Sequence, residues 1–335
     1  MSAQLALLKA GPGVTIQDRG RFGFLRYGVT QSGPMDFALH ALANLAVGNI
    51  RDAAALEIST SGAEFEAQGG ALDLAFVGPG FDVQLDGRTL PDAVTLRLEP
   101  GARLVVRAGT YGSWGYLALA GRLDLSKILG SLSTHTRSSL GGFQGRALQA
   151  GDVLNVVETR VRDAATARVV APWLEPSEAP IRVMLGPQDD YFAPDQIEAF
   201  LTRNWRVSGR SDRMAYGLEG EPLTHARGHD IVSDGVAHGA IQVPGSGLPF
   251  VLMADRQPTG GYPKIATVIG ADLGRMAQIR PGAVVRFQAV DFEEALSARR
   301  VSARHLDAPV VTEPLIRTEF SSEFLLSENL ISGVV

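Results

Sequence analysis

Short apolar runs punctuated by glycine and proline dominate the chain. LDLAFVG (72–78), RLVVRAG (103–109), GYLALAG (115–121), IRVMLG (181–186) and AVVRFQAV (283–290) have strand length and composition, and turn residues bound each of them. With 38 Gly and 18 Pro in 335 residues, the pattern predicts a mainly β fold with a few helices, a β-rich α+β protein. One stretch breaks the alternation. In SGPMDFALHALANLAVGN (32–49), Met35, Leu39, Leu42 and Leu45/Ala46 recur at helical spacing. Ser32 is placed to cap that helix, Pro34 suits its first turn and Gly48-Asn49 supplies a stop. APDQIEAFLTRNW predicts a second, shorter helix from near Pro194.

The length predicts two domains. Residues 158–180 lack sustained periodicity and end in proline-rich, polar sequence, so a linker is expected at 161–180. It divides an N-terminal β domain (1–160, with the helix at 32–49) from a second β domain (181–290) and a C-terminal extension (291–335). The two sides resemble each other. LDLAFVGP parallels IRVMLGP at Gly78-Pro79 and Gly186-Pro187, and GYLALAGR parallels PFVLMADR, with Arg122 opposite Arg256. Lys127-Ile128 then stands opposite Lys264-Ile265, and GRALQAGDVLNV opposite GRMAQIRPGAVVRF. Four matches in one order point to an internal duplication.

Charge and motif absences narrow the chemistry. The net charge is −5 with no basic block, which argues against nucleic acid or an anionic membrane as partner. There is no cysteine, hence no disulfide, thiolate nucleophile or Cys-ligated metal. No signal-peptide core and no apolar run of membrane-spanning length occur, so a cytoplasmic location is expected. GxxxxGK[ST], GxGxxG, GxSxG and HExxH are all missing, and no Met-Lys pair exists to carry biotin. His225 and His229 have metal-ligand spacing only on a helix, and Gly228 between them favours a loop, so no metal is expected.

Four polar clusters remain. TIQDRGRFGFLRYGVTQSGPMD (15–36) gathers Gln17, Asp18, Arg21, Ser32 and Asp36 just before a helix N-terminus, where free N–H groups hold an anion or simply receive a cap. GSLSTHTRSSLGGFQGRALQAGD (130–152) reads as a set of turns or a small-ligand loop, and SGRSDRMAYGLEG (208–220) as a salt-bridged loop around Arg210, Asp212 and Arg213. The fourth, GAIQVPGSGLPFVLMADRQPTGGYPKIATVIGADL (239–273), adds Gln242, Asp255, Arg256, Gln257, Thr259, Tyr262 and Lys264. A carboxylate, two cations, an amide and two hydroxyls within ten residues suit a planar amide or urea-like group with a polarised carbonyl. A salt-bridged hairpin loop fits the same spacing.

Taken together, TIQDRGRFG…GVTQSGPMD, LGSLST…LGGFQGRALQAGD, SDRM and the fourth cluster resemble the biotin-dependent carboxyltransferase family, formerly allophanate hydrolase subunit 2, from about residue 5 to 290. Thr30, Pro34, Ala215 and Pro258 depart from the family's usual residues without removing an ionisable group. The resemblance implies a pair of cyclophilin-like β-barrel domains. It also implies one of three roles. The first is the C subunit of a 5-oxoprolinase hydrolase, converting 5-oxo-L-proline to L-glutamate with ATP. It would work beside an A-like subunit and a B-like subunit, the latter from the allophanate hydrolase subunit 1 family. The second is the carboxyltransferase component of a urea- or guanidine-type carboxylase, its biotin carried on another chain. The third is a regulatory module that antagonises a kinase-inhibitor partner. In the first two, Asp255, Arg256 and Lys264 are the expected catalytic groups, with Lys264 or Arg256 on a carbonyl or phosphate and Asp255 as base. Gln17, Asp18, Arg21, Ser32, Asp36, Gln242, Gln257, Thr259 and Tyr262 are expected to bind substrate. The location of an ATP site is not implied.

Overall fold

Residues 3–161 and 165–316 are described by a computed structural model in which three large sheets carry most of the chain. The first has the strand order Arg122–Leu123, Val153–Val157, Ala3–Ala10, Ala63–Gln68, Arg103–Arg107, Asp82–Leu85, Arg88–Leu90. The second runs Thr15–Gln17, Ala55–Ser59, Trp114–Leu119, Leu72–Val77, Ala93–Leu98, Ala167–Val170, Val311–Pro314. Alternation explains how they pack. Leu72, Leu74 and Phe76 point from the second sheet into a core shared with Leu5, Leu7, Phe65 and Leu104 of the first. Ala75 and Val77 point the other way, against helix α1 (Phe37–Ala46). Both faces of this sheet are therefore buried, and its central strands read as nearly unbroken apolar runs.

The third sheet has eight strands, in the order Val284–Val285, Trp205–Val207, Ala215–Glu219, Phe250–Leu252, Ala240–Gln242, Lys264–Val268, Ile181–Leu185, Phe287–Ala289. AVVRFQAV is thus two strands. Val284 and Val285 pair with Arg206 and Trp205 at one edge. After Arg286, Phe287–Ala289 runs parallel to Ile181–Val183 at the other edge. One short segment meets both edges, so the sheet is nearly closed into a barrel. Its core is continuous with the layer under α1, joining Trp205, Val251 and Ile265 to Leu39 and Leu42.

Helix α2 (Pro194–Thr202) begins at the predicted proline. α3 (Leu273–Gln278) and α4 (Phe292–Asp307) follow the barrel strands. α4 is closed by a capping box between Asp291 and Glu294. No helix among the described residues is long and apolar enough to cross a membrane.

The structure alters several expectations. α1 starts at Phe37, not at Ser32. Its cap is Asp36, whose Oδ1 accepts from the N–H groups of Ala38 and Leu39 at 3.1 and 3.2 Å. The stretch expected to be a linker contributes Ala167–Val170 to the second sheet, where it pairs with Thr95 and Val94 and with the extension's strand Val311–Pro314. Residues 317–335 of the extension lie outside the described residues.

The proposed repeat counterparts do not share partners either. Leu72–Val77 pairs with Trp114–Leu119, whereas Ile181–Leu185 pairs with Lys264–Val268 and not with Phe250–Leu252. Lys264 and Ile265 are buried in a strand, while Ile128 sits in an exposed turn bridged to Ser131.

Candidate active site

The polar residues near the N-terminus and those near 255 belong to different sheets, and the fold carries them to one place. Arg213, in the loop before Ala215–Glu219, is the junction. Its Nε and Nη2 donate to Oδ2 and Oδ1 of Asp255 at 2.8 and 2.9 Å. Nη1 pairs with Glu57 on the second sheet, and Nη2 also donates to the Gly33 carbonyl at 2.7 Å. Glu57 Oε2 accepts from the Met35 N–H and the Tyr116 hydroxyl, each at 2.8 Å. The Tyr116 oxygen accepts from the Asp36 N–H at 2.8 Å, and Asp36 accepts from Gln278 of α3 at 3.1 Å. A hydrogen-bonded chain thus links the barrel, the second sheet and both helix ends.

Burial opposes the Arg213 charge, but Asp255 and Glu57 outweigh it and raise the guanidinium above its ordinary value. Burial pushes Glu57 up, against the pull of Arg213, the Met35 N–H and Tyr116. It also pushes Asp36 up, and with the Glu57 charge it lifts Tyr116 well above the usual phenol value.

The second wall is built from the loops at 17–36 and 131–135. Asp18 is buried and filled by donors. Ser131 and Ser133 hydroxyls and the Gly20 N–H reach Oδ1 at 2.6, 2.7 and 2.9 Å, and the Leu132 N–H reaches Oδ2 at 2.7 Å. Burial would raise its pKa, but these donors lower it. Gly20 and Gly33, both at positive φ, let the two strands of this loop touch, since a Cβ at either would lie 2.9 Å from a carbonyl oxygen of the other. Arg21 is 1% exposed, and its Nη2 donates to the Ser133 carbonyl at 2.6 Å. Its Nε and Nη1 have no partner among the described residues, and neither do Ser32 Oγ, His135 Nδ1, His238 Nε2 and Gln17 Oε1. Burial lowers Arg21, with Asp18 and Asp255 opposing. It also lowers Arg256 to about 10, while Arg256 Nε donates to the Val236 carbonyl at 3.0 Å. His135 is lowered by burial, and His238 is lowered to about 3 by burial and the Arg256 charge.

Not every expected residue joins this cluster. Arg21 lies within range of the Asp255 charge, and Asp36 is tied to Asp255 through Tyr116, Glu57 and Arg213, whereas Gln17, Asp18 and Ser32 stay in the wall built from 17–36 and 131–135. Asp36 acts as a helix cap, and Glu57 takes the Met35 N–H expected for an anion. Asp255 is held on both oxygens by Arg213. Lys264 turns to Asp234, 3.2 Å away, and its backbone N–H takes Gln188 Oε1. Gln242 donates to the Tyr262 carbonyl at 3.3 Å. Thr259 is exposed in a two-residue ladder with Gly235, Tyr262 is 39% exposed, and Gln257 is half-buried. That ladder adjoins Val236, so the Lys264 group lies beside the cluster rather than inside it.

Glu57, Tyr116, Gln278, His135 and His238 were not singled out by sequence. A glutamate inside the apolar run AALEIS was the available signal for Glu57. His135 stood within the serine-rich stretch read as turns. Among the described residues no group of three His, Cys, Asp or Glu is placed to hold a metal ion.

Comparison with known proteins gives a consistent result. The family model for the carboxyltransferase domain, subdomain A and B, matches residues 27–289. The C subunit of the 5-oxoprolinase of Escherichia coli (strain K12) is 37% identical over 305 residues, covering 90% of this chain and 96% of that protein. Among solved structures, the K. lactis urea amidolyase has a TM-score of 0.81 at 27% identity and covers 96% of this chain but 20% of its own. TTHA0988 has a TM-score of 0.76 at 34% identity and covers 85% of this chain. The present chain spans only 55% of that one's length.

Proposed function

The chain belongs to the carboxyltransferase family with subdomains A and B, and on that basis we propose that it serves as the C subunit of an ATP-dependent 5-oxoprolinase. In this reading it works beside A-like and B-like subunits to open the lactam of 5-oxo-L-proline to L-glutamate. The observation that carries the reading is the match to the C subunit of the E. coli 5-oxoprolinase, which extends over 96% of that protein.

The cluster suits the chemistry. Hydrolysis of a lactam adds water to a planar carbonyl carbon, and negative charge grows on the amide oxygen. Arg256 is a buried guanidinium group whose Nε donates to the Val236 carbonyl, and it is not ion-paired to a carboxylate among the described residues. Donors fixed in a low-dielectric site stabilise a developing oxyanion more than donors in water do. Arg213, locked by Asp255 and Glu57, fixes the floor of the site. His135 and His238, held neutral by burial, are available to pass a proton. ATP supplies the driving force for cleaving an unstrained amide, and its site is proposed for the complex.

A second reading is favoured by the urea amidolyase structure: carboxyl transfer to a urea-type amide, with biotin delivered on another chain. A ureido oxygen would meet the same donors.

To test the 5-oxoprolinase role, the tagged chain is co-expressed with its A-like and B-like partners, and glutamate release from 5-oxoproline and ATP is followed. Co-purification and release that disappears when the chain is omitted are expected. Undiminished release without the chain would count against it.

A further inference from the structure

Arg21 is the least explained buried cation among the described residues. Among the described residues its side chain makes one hydrogen bond, to the Ser133 carbonyl, and its Nε and Nη1 are buried without a partner. A buried donor left unmade costs free energy, and more so when it is charged. The neighbouring carboxylates do not answer it. Asp18 is filled by two hydroxyls and two backbone N–H groups, and Asp255 is held bidentately by Arg213.

Ser32 lies on the facing strand of the same loop. The backbone N–H of Arg21 donates to Gln31 O at 2.8 Å, which ties the two loop strands together. Ser32 is 5% exposed, adopts the left-handed conformation (φ 53°) and has a buried hydroxyl with no partner among the described residues. A non-glycine residue held at positive φ with an unused hydroxyl is a strained arrangement without a structural return of its own. His135 Nδ1 is likewise unused, and Arg21 and His135 both sense Asp255.

We infer that Arg21, with Ser32 and His135, forms a carboxylate-binding subsite that holds the acid group of the substrate. The inference rests on the proposed lactam reading and names what that reading leaves open, namely which residues distinguish a lactam acid from a neutral amide. Urea has no carboxylate, so an occupied Arg21 subsite separates the two substrate classes.

The test is calorimetric titration of the full chain with 5-oxo-L-proline, with pyrrolidin-2-one, which lacks the carboxylate, and with urea. Wild type is expected to bind 5-oxoproline and to bind pyrrolidin-2-one and urea at least tenfold more weakly. Arg21→Gln should weaken 5-oxoproline binding about ten- to a hundred-fold, the range of a charge-assisted hydrogen bond, and leave pyrrolidin-2-one unchanged. Because Arg21 is buried, Ser32→Ala serves as a second variant. Its hydroxyl has no partner among the described residues, so the melting temperature should hold while 5-oxoproline binding weakens. Equal affinity for 5-oxoproline and pyrrolidin-2-one, no binding of either, or unaltered binding in both variants would overturn the subsite. Glutamate release by the assembled complex is measured separately. Its absence alongside carboxylate-selective binding would reject lactam hydrolysis and keep the subsite.

Discussion

His40 is fully buried in α1, with Nε2 3.1 Å from the Gln17 carbonyl and Nδ1 without a partner among the described residues. Burial holds its pKa down to about 4, against the weaker pulls of the Gln17 carbonyl, Asp18 and Asp52. The unfolded chain takes up that proton near the ordinary histidine value of about 6.5. Between these values the unfolded state binds the extra proton, so stability is full above pH 6.5 and falls as pH drops toward 4. The loss attributable to His40 is on the order of 3 kcal/mol. Thermal midpoints at pH 7 and pH 5 should differ less for His40→Gln than for wild type. Identical differences would show that His40 does not drive the effect. For single residues the sequence was informative about type and poor about partners. Lys264 was expected on a carbonyl or phosphate, yet its partner is Asp234. Arg213 looked like one end of a local salt-bridged loop, yet it reaches Glu57, 156 positions away.

Element positions were more legible than element ends. Leu39 and Leu42 set the buried face of α1 as the 3.6-residue period requires, and Pro194 marks the start of α2. The start of α1 was misplaced because Ser32 and Asp36 are both good caps, and only the backbone decides between them. Ser32 has φ 53°, whereas Asp36 has the extended φ and ψ of a cap residue. Asp36→Ala should therefore destabilise the protein by about 1 kcal/mol, read as a fall in denaturation midpoint, while Ser32→Ala leaves it in place. The reverse ranking would restore Ser32 as the cap. The division of AVVRFQAV between two sheet edges was invisible in the sequence. An apolar run records burial, and burial is the same whichever strand lies alongside.

Across the whole molecule, the site exists because a nearly closed barrel and a doubly covered sheet share one core and one polar seam. Arg213 and Asp255 come from the barrel side, Glu57 and Tyr116 from the sheet, and Arg21 and Ser32 from the loop that precedes α1. Turn and strand chemistry along the chain indicated a β-rich fold, and several of the polar motifs lie on loops that the fold brings to this seam. The seam itself depends on contacts between residues far apart in sequence, which local patterns do not encode. Whether this seam, assembled with its partners, acts on a lactam acid is decided by giving one reconstituted complex two substrate mixtures. The first holds 5-oxoproline with ATP, and the second holds urea with bicarbonate, ATP, a biotin carboxylase and its biotinylated carrier. ATP-dependent glutamate formation from the first mixture and no carboxylated product from the second are expected. Carboxylation of urea without glutamate release would contradict the lactam assignment.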